Sequence, residues 1–375
     1  MELIDYLNFN NNNNIDTHFA TKHVRFLDKQ KVDFTTQGFQ VAILGVPDDE
    51  SNRIFEVANQ VRHQIFQLAP LSNNLSIIDL GNIKPGNNFA DACIAISEVF
   101  QVFKRNNVIL VMIGGTSKFN YGGIHAYQIN NLPLNMISID SRISLESINE
   151  SCTSGSHNNE KDDNFSMFNY INIGYQSCFV SQTVLDFVDD SYFEAYRLGF
   201  LRTNMKEIEP VLRDSNFVTF SLNSIKHSDA PGALNSSPNG LSGDEACQLS
   251  FYTGHSNRIN SLGVFDISMT NDIHHTTVQL AAQVIWYYLE GLANRIFEEP
   301  DLKPQNFTKY LIHNNDSNQD LAFYQSNFTN RWWMEIFLHK HNHRIVLSCS
   351  ENDYELACKQ EIPDRWWRTF QRIQI

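Results

Sequence analysis

The strongest constraint on this chain is a series of short apolar runs, most of them leading into a glycine-containing turn and spaced by longer connecting stretches. Gln40-Val-Ala-Ile-Leu-Gly45 runs into Val46-Pro47, and Ser76-Ile-Ile-Asp-Leu80 stops at Gly81. Asn107 to Ile113 ends in Gly114-Gly115, and Leu134–Ile139, Phe217–Leu222 and Ser261–Ile267 are further runs. Ala90–Arg105 and Thr276–Phe297 have helical periodicity between and after them. Runs without polar alternation belong to strands covered on both faces. The pattern predicts a three-layer α/β/α fold with a mainly parallel sheet. In such sheets ligands sit beyond the strand C-termini, so chemistry is to be sought in the turns.

With 375 residues, 42% of them hydrophobic and 12% aromatic, the chain has ample material for a large core. A formal net charge of −14 argues against nucleic acid and anionic membrane surfaces, which clustered Lys and Arg bind. Met1–Asn14 has no basic start or apolar h-region, so no secretory signal is expected. The longest apolar stretch, Val278–Leu292, is broken by Gln283, Glu290 and Gly291 and predicts a buried helix rather than a membrane span. Six cysteines without CxxC spacing fit reduced thiols, which makes the cytoplasm the expected location.

Three segments are expected: residues 1–34, with an Asn-rich low-complexity stretch at 8–14; an α/β domain over 35–300; and an α+β extension over 301–375 packed on it. In the extension, Phe307–Ile312, Leu321–Gln325 and Trp332–Leu338 predict close-spaced strands, and Tyr354–Lys359 and Asp364–Arg372 predict helices.

The strand ends carry motifs in a recognisable order: Gly45-Val-Pro-Asp48, Asp79-Leu-Gly-Asn-Ile83, Ile113-Gly-Gly-Thr-Ser117 with Tyr121-Gly122, Ser138-Ile-Asp-Ser-Arg-Ile-Ser144, Ser221-Leu-Asn-Ser-Ile225 with Asp229-Ala-Pro-Gly232, and Gly263-Val-Phe-Asp266. Over about residues 35–297 this series resembles the arginase, agmatinase and formimidoylglutamase family, most nearly its formimidoylglutamase branch. The resemblance implies an arginase-like fold and a pair of Mn²⁺ ions that activate a water against an amidine or guanidine carbon. It also implies Asp and His ligands from three strand ends. Carried over position by position, those ligands are nearly all absent. Thr116 and Ser117 stand where the family has Asp-His. Asp140, Arg142 and Ser144 stand for Asp-x-His-x-Asp, and Asn223 and Ile225 for Asp-x-Asp. Only Asp140 keeps the ligand type. The glutamate that receives the substrate's guanidinium in the family falls near Met269. Arg142 would repel divalent cations, so we expect an Asp140–Arg142 contact, direct or bridged, to fill the vacated pocket.

Other candidates have blander readings that are preferred. Gly114-Gly115 with Lys118 lacks phosphate-loop spacing and reads as a structural turn. His339, His341 and His343 read as a hairpin tip rather than a metal face, and His274 and His275 as the first turn of a helix. Cys152 and His157 lie in a polar loop with no third group to position them; His157 is also the one candidate for a substrate-side histidine. The triplets Arg331-Trp332-Trp333 and Arg365-Trp366-Trp367 either pack on the core or form an interface, since Trp and Arg are enriched at hot spots.

The expectation is a catalytically inactive member of this family with no cofactor, acting as a protein-binding or assembly component. Ligand-poor relatives of this kind suggest a cell-envelope secretion or gliding machine, so a membrane-associated complex is the expected partner class, with homo-oligomerisation open. The alternatives are a metal-dependent hydrolase of formimidoylglutamate or another amidine or guanidine, and a small-molecule sensor using the emptied pocket.

Overall fold

A computed structural model describes residues 3–8, 17–26, 38–49, 54–130, 132–143, 168–314, 319–338 and 343–374. Its centre is a ten-stranded sheet. The strands are β1 (Leu7–Asn8), β2 (Val24–Phe26), β3 (Val41–Gly45), β4 (Ile77–Ile83), β5 (Ile109–Ile113), β6 (Leu134–Ile139), β7 (Phe168–Tyr175), β8 (Glu194–Arg197), β9 (Phe217–Ser221) and β10 (Ser261–Phe265). Their spatial order is β1-β4-β3-β5-β10-β9-β6-β7-β8, with β2 also on β4. Every pairing except β1 with β4 is parallel.

The unbroken apolar runs lie in the middle of this sheet, where both faces are covered. Val41, Ile43, Ile109, Val111 and Ile113 point into one core, while Ala42, Leu44, Leu110 and Met112 point into the other. Helices α1 (His18–His23), α2 (Glu56–Gln67), α6 (Leu198–Thr203), α7 (Met205–Arg213), α8 (Gly243–Gly254) and α9 (Thr276–Ala293) contribute to the first layer. Helices α3 (Phe89–Arg105), α4 (Asn120–Gln128) and α5 (Gln182–Asp190) form the other. This is the expected three-layer arrangement.

Three differences from the expectation have local causes. The N-terminal segment is part of the domain, because β1 and β2 both pair with the outer edge of β4. β7 and β8 are not predicted by the apolar pattern: Asn169 and Asn172 interrupt it in one, and the other is a four-residue strand with charged ends. The extension has a fourth strand beyond the predicted three. Its order is β11 (Phe307–Asn314), β12 (Gln319–Ser326), β13 (Trp332–Leu338) and β14 (His343–Cys349), all antiparallel, followed by α10 (Glu351–Cys358) and α11 (Asp364–Gln374). Residues 339–342, with His339 and His341, lie outside the described residues, while His343 begins β14.

The extension is held to the main domain by a buried polar seam. Arg365 donates to Glu194 at 3.1 Å and to Asp214 at 3.4 Å, and its Nη1 reaches the Ser348 carbonyl at 2.6 Å. Asp214 also accepts from the Ser348 amide and hydroxyl. Arg213 pairs with Glu209 and lies 4.5 Å from the Trp333 ring centroid. Arg331 donates to His255 and pairs with Glu209.

These contacts correct the expected interface. Successive strand residues face opposite ways, and here both faces are covered. Trp332 packs under α10 beside Tyr354, and Trp333 lies beside Arg213 at the main domain. Trp332, Trp333 and Trp366 are 6%, 3% and 4% exposed, and Arg365 is equally enclosed, so none of them presents a surface. Trp367, at 45%, is the one open tryptophan of the four.

Candidate functional site

Four neighbouring strands, β5, β10, β9 and β6, bring one polar side chain each to their C-terminal ends: Ser117, Asp266, Ser221 and Asp140. The row exists because each apolar strand stops where its backbone turns away from the sheet. After β10 the chain turns through Asp266 at φ 68°, a left-handed conformation uncommon for a non-glycine residue. After β5 the turn is Gly114-Gly115. A Cβ at Gly115 would stand 2.0 Å from the Asp48 carbonyl oxygen, so only glycine lets these two strand-end loops touch.

The Ser221 hydroxyl donates to Asp266 Oδ2 at 2.6 Å, and the Ser117 amide donates to Asp266 Oδ1 at 3.0 Å. Asp140 Oδ1 accepts from the Arg142 amide at 3.1 Å and from the Ser141 hydroxyl at 3.3 Å. Ser221 is also within hydrogen-bonding reach of Asp140. One hydroxyl hydrogen serves one carboxylate, so the second acid needs a proton of its own or bears the repulsion. Burial first, and the neighbouring Asp266 charge second, push the Asp140 carboxyl up to about 7. Burial raises Asp266 as well, against the hydrogen bonds from Ser221 and Ser117.

The remaining sequence-derived positions are not part of this row. Thr116 caps the short 3-10 turn that follows, accepting from the Lys118 amide. Asn223 accepts from the Asn235 amide at 2.7 Å and so ties down the loop after β9. Ile225 is fully buried in the first core, and Met269 packs against that core, partly covered. Ser144, Cys152 and His157 lie outside the described residues. Arg142 departs from the expectation in one respect. Its backbone N–H contacts Asp140, but its guanidinium is on the exposed rim, 4.4 Å from the Phe179 ring centroid. A cation stacked on an aromatic face keeps its hydration, whereas burial beside Asp140 would strip it.

Asp266 and Ser221 fall within the quoted motifs, yet the sequence alone gives them no role. The signal is a polar residue closing an apolar strand; their partnership depends on β9 lying between β10 and β6, which chain order does not reveal.

Other acids near the strand ends are used for architecture. Asp48 accepts from the Glu56 and Val57 amides at the start of α2, and Asp272 from the Thr277 and Val278 amides at the start of α9. Asp229 accepts from the Gly243 amide opening α8. Free N–H groups at a helix start favour a carboxylate. Asp79 forms a buried pair with Arg62 at 3.1 Å, completed by Asn59, Asn82 and the Gly81 carbonyl.

The described residues at the strand ends do not fit a two-Mn²⁺ centre. Two carboxylates are the anionic donors of the row, and their oxygens already accept hydrogen bonds from the protein. Among the described residues no group of three His, Cys, Asp or Glu is arranged to hold a metal ion. No helix among them is long and apolar enough to cross a membrane.

Comparison with known proteins accords with the architecture. The formimidoylglutamase of Bacillus subtilis superposes with a TM-score of 0.60 at 18% identity, covering 75% of this chain and 94% of that one. An oxidized Trypanosoma cruzi formiminoglutamase with Mn²⁺ superposes at 0.59 with 15% identity, over 72% and 96%. Arginase from Bacillus subtilis does so at 0.53 with 16% identity, over 67% and 98%. A search of the curated proteins gives no match. The family model described as the Arginase family matches residues 39–290, most of the α/β domain and none of the extension. The chain belongs to the Arginase family.

Proposed function

We propose that this chain keeps the arginase-family scaffold without its metal-assisted hydrolysis and serves as a protein-binding or assembly component. The observation that supports the reading is the row Ser117, Asp266, Ser221, Asp140, whose two carboxylates accept hydroxyl and amide hydrogens from the protein. Two Mn²⁺ ions call for a fuller set of carboxylate and imidazole ligands than this row supplies. The division among the motifs supports it: Asp48 and Asp229 cap helices and Asp79 pairs with Arg62, while the ligand positions hold Ser117, Arg142, Ser144, Asn223 and Ile225.

For a contact surface we favour the strand-end rim, where Phe179, Leu234 and Ile273 are exposed on the loops after β7, β9 and β10, and Phe200 on α6, which follows β8. Clustered apolar side chains at a surface mark interaction sites more often than scattered ones do. As partner we favour a protein of a membrane-associated secretion or motility complex, met from the cytoplasm.

The test is metal content after purification without chelators, together with formamide and urea release from amidine and guanidine substrates. Substoichiometric Mn²⁺ and no turnover are expected. Stoichiometric Mn²⁺ with turnover would overturn the reading and make the chain a C–N hydrolase. A thermal shift on adding amidines or acidic amino acids would instead assign the site to a small-molecule sensor, because a ligand that binds only the native state raises stability.

A further inference from the structure

Two N-terminal pieces, residues 3–8 and 17–26, form a strap along the outer edge of β4. β1 pairs with Ile83 and Asn82, and β2 pairs with Ile77 to Asp79. These strands have two and three residues, and α1 has six, far below the length at which a helix persists alone. The strap therefore depends on its docking contacts. Thr17 Oγ1 donates to the Phe66 carbonyl, Lys22 Nζ to the Leu71 carbonyl at 3.3 Å, and the Lys84 amide to the Tyr6 carbonyl at 2.8 Å.

His23 is the buried contact among them, 4% exposed and tilted against Phe19. Both of its ring nitrogens meet main-chain groups of the turn between α2 and β4. The Leu71 N–H lies 3.1 Å from Nε2, and the Leu75 carbonyl lies 3.2 Å from Nδ1. A backbone N–H can only donate, so Nε2 must be the bare acceptor. Nδ1 must then carry the hydrogen and donate to Leu75. The geometry admits one neutral tautomer. A second proton would set two donors against each other at 3.1 Å in a site closed to water.

We propose that His23 is a proton-sensitive latch that holds the N-terminal strap on β4 at neutral pH and releases it in acid. The charged groups facing it are Lys22 on its own helix, which opposes protonation, and Glu290 on α9, which favours it. Burial outweighs both and, with the Leu75 carbonyl opposing it, leaves the ring below its ordinary value of 6.5. The sign follows: the released strap carries an ordinary histidine, so it takes up a proton first as the pH falls. Below about 6.5 the released population rises about tenfold per pH unit, until the docked ring is itself protonated. Release leaves the outer edge of β4 with unpaired backbone groups.

The experiment is hydrogen–deuterium exchange of the full chain between about pH 7.5 and pH 5, corrected for intrinsic rates. Peptides spanning residues 17–26 and 77–83 report the strap, and β9 serves as the internal control. His23→Gln offers an acceptor and a donor with no titration, and Glu290→Gln removes the nearby charge while keeping an acceptor for the Ser72 amide. In the native protein, strap and β4 protection should fall about tenfold per pH unit below about 6.5 with β9 unchanged. His23→Gln should flatten that dependence, and Glu290→Gln, which acts only on the docked ring, should leave its onset near 6.5 and extend it to lower pH. Flat protection in the native protein overturns the latch, as does an equal acid loss in His23→Gln or a parallel loss in β9.

Discussion

Replacing Asp140 with asparagine exchanges one oxygen for nitrogen and removes the carboxyl's proton equilibrium. Folding lifts this group from 3.8 to about 7, by burial first and by the Asp266 charge second. The native state thus holds the proton more tightly than the unfolded chain does, and stability falls as the pH rises from about 4 to about 7. At about 1.4 kcal/mol per pH unit the full effect is about 4 kcal/mol. Partial access of water to Asp140 reduces the working figure to about 2 kcal/mol. The asparagine side chain would be uncharged at every pH, able to accept from the Arg142 amide and to donate toward Ser221 or Asp266. Asp140→Asn should therefore be more stable than the native protein by about 2 kcal/mol at pH 8 and about equal near pH 4. Urea denaturation at both pH values, with and without added Mn²⁺, measures this. A variant less stable at pH 8 would refute the reasoning. So would Mn²⁺ stabilising the native protein but not the variant, because either result means the site requires a charged carboxylate.

The seam and the tryptophans give two further predictions. Arg365→Met should cost about 3–5 kcal/mol, since it leaves Glu194 and Asp214 buried without their cation; a loss under about 1 kcal/mol in chemical denaturation would mean that water enters the seam. Trp333→Ala should cost about 3–5 kcal/mol by opening a cavity beside Arg213. Trp367→Ala should cost under about 1 kcal/mol, and a reversal of that order by calorimetry would contradict the packing of the extension.

Much of the domain was legible because its central strands are mostly apolar. Ile109–Ile113 and Phe217–Ser221 are buried along their whole length, and Thr219 and Ser221 are the polar residues in them. The motif order carried the fold for the same reason: Asp48, Asp229 and Gly115 answer to helix starts and close turns set by nearby chain. β8 was illegible because burial of Glu194 depends on Arg365, which arrives from the far end of the chain. The role of the tryptophans was open for a similar reason. Alternation along β13 puts Trp332 and Trp333 on opposite faces, but which faces are covered depends on α10 and on Arg213.

By itself, the sequence determined the layered architecture and the identity of the residues at the former ligand positions. Both are properties of local pattern, since apolar period and turn chemistry act over a few residues. Only the tertiary structure decided what those residues do. It set β9 between β10 and β6, so that Ser221 stands between Asp266 and Asp140. It also sent the Arg142 guanidinium outward to Phe179. Hydrogen bonding and desolvation act between neighbours in space, and those neighbours come from strands far apart in the chain.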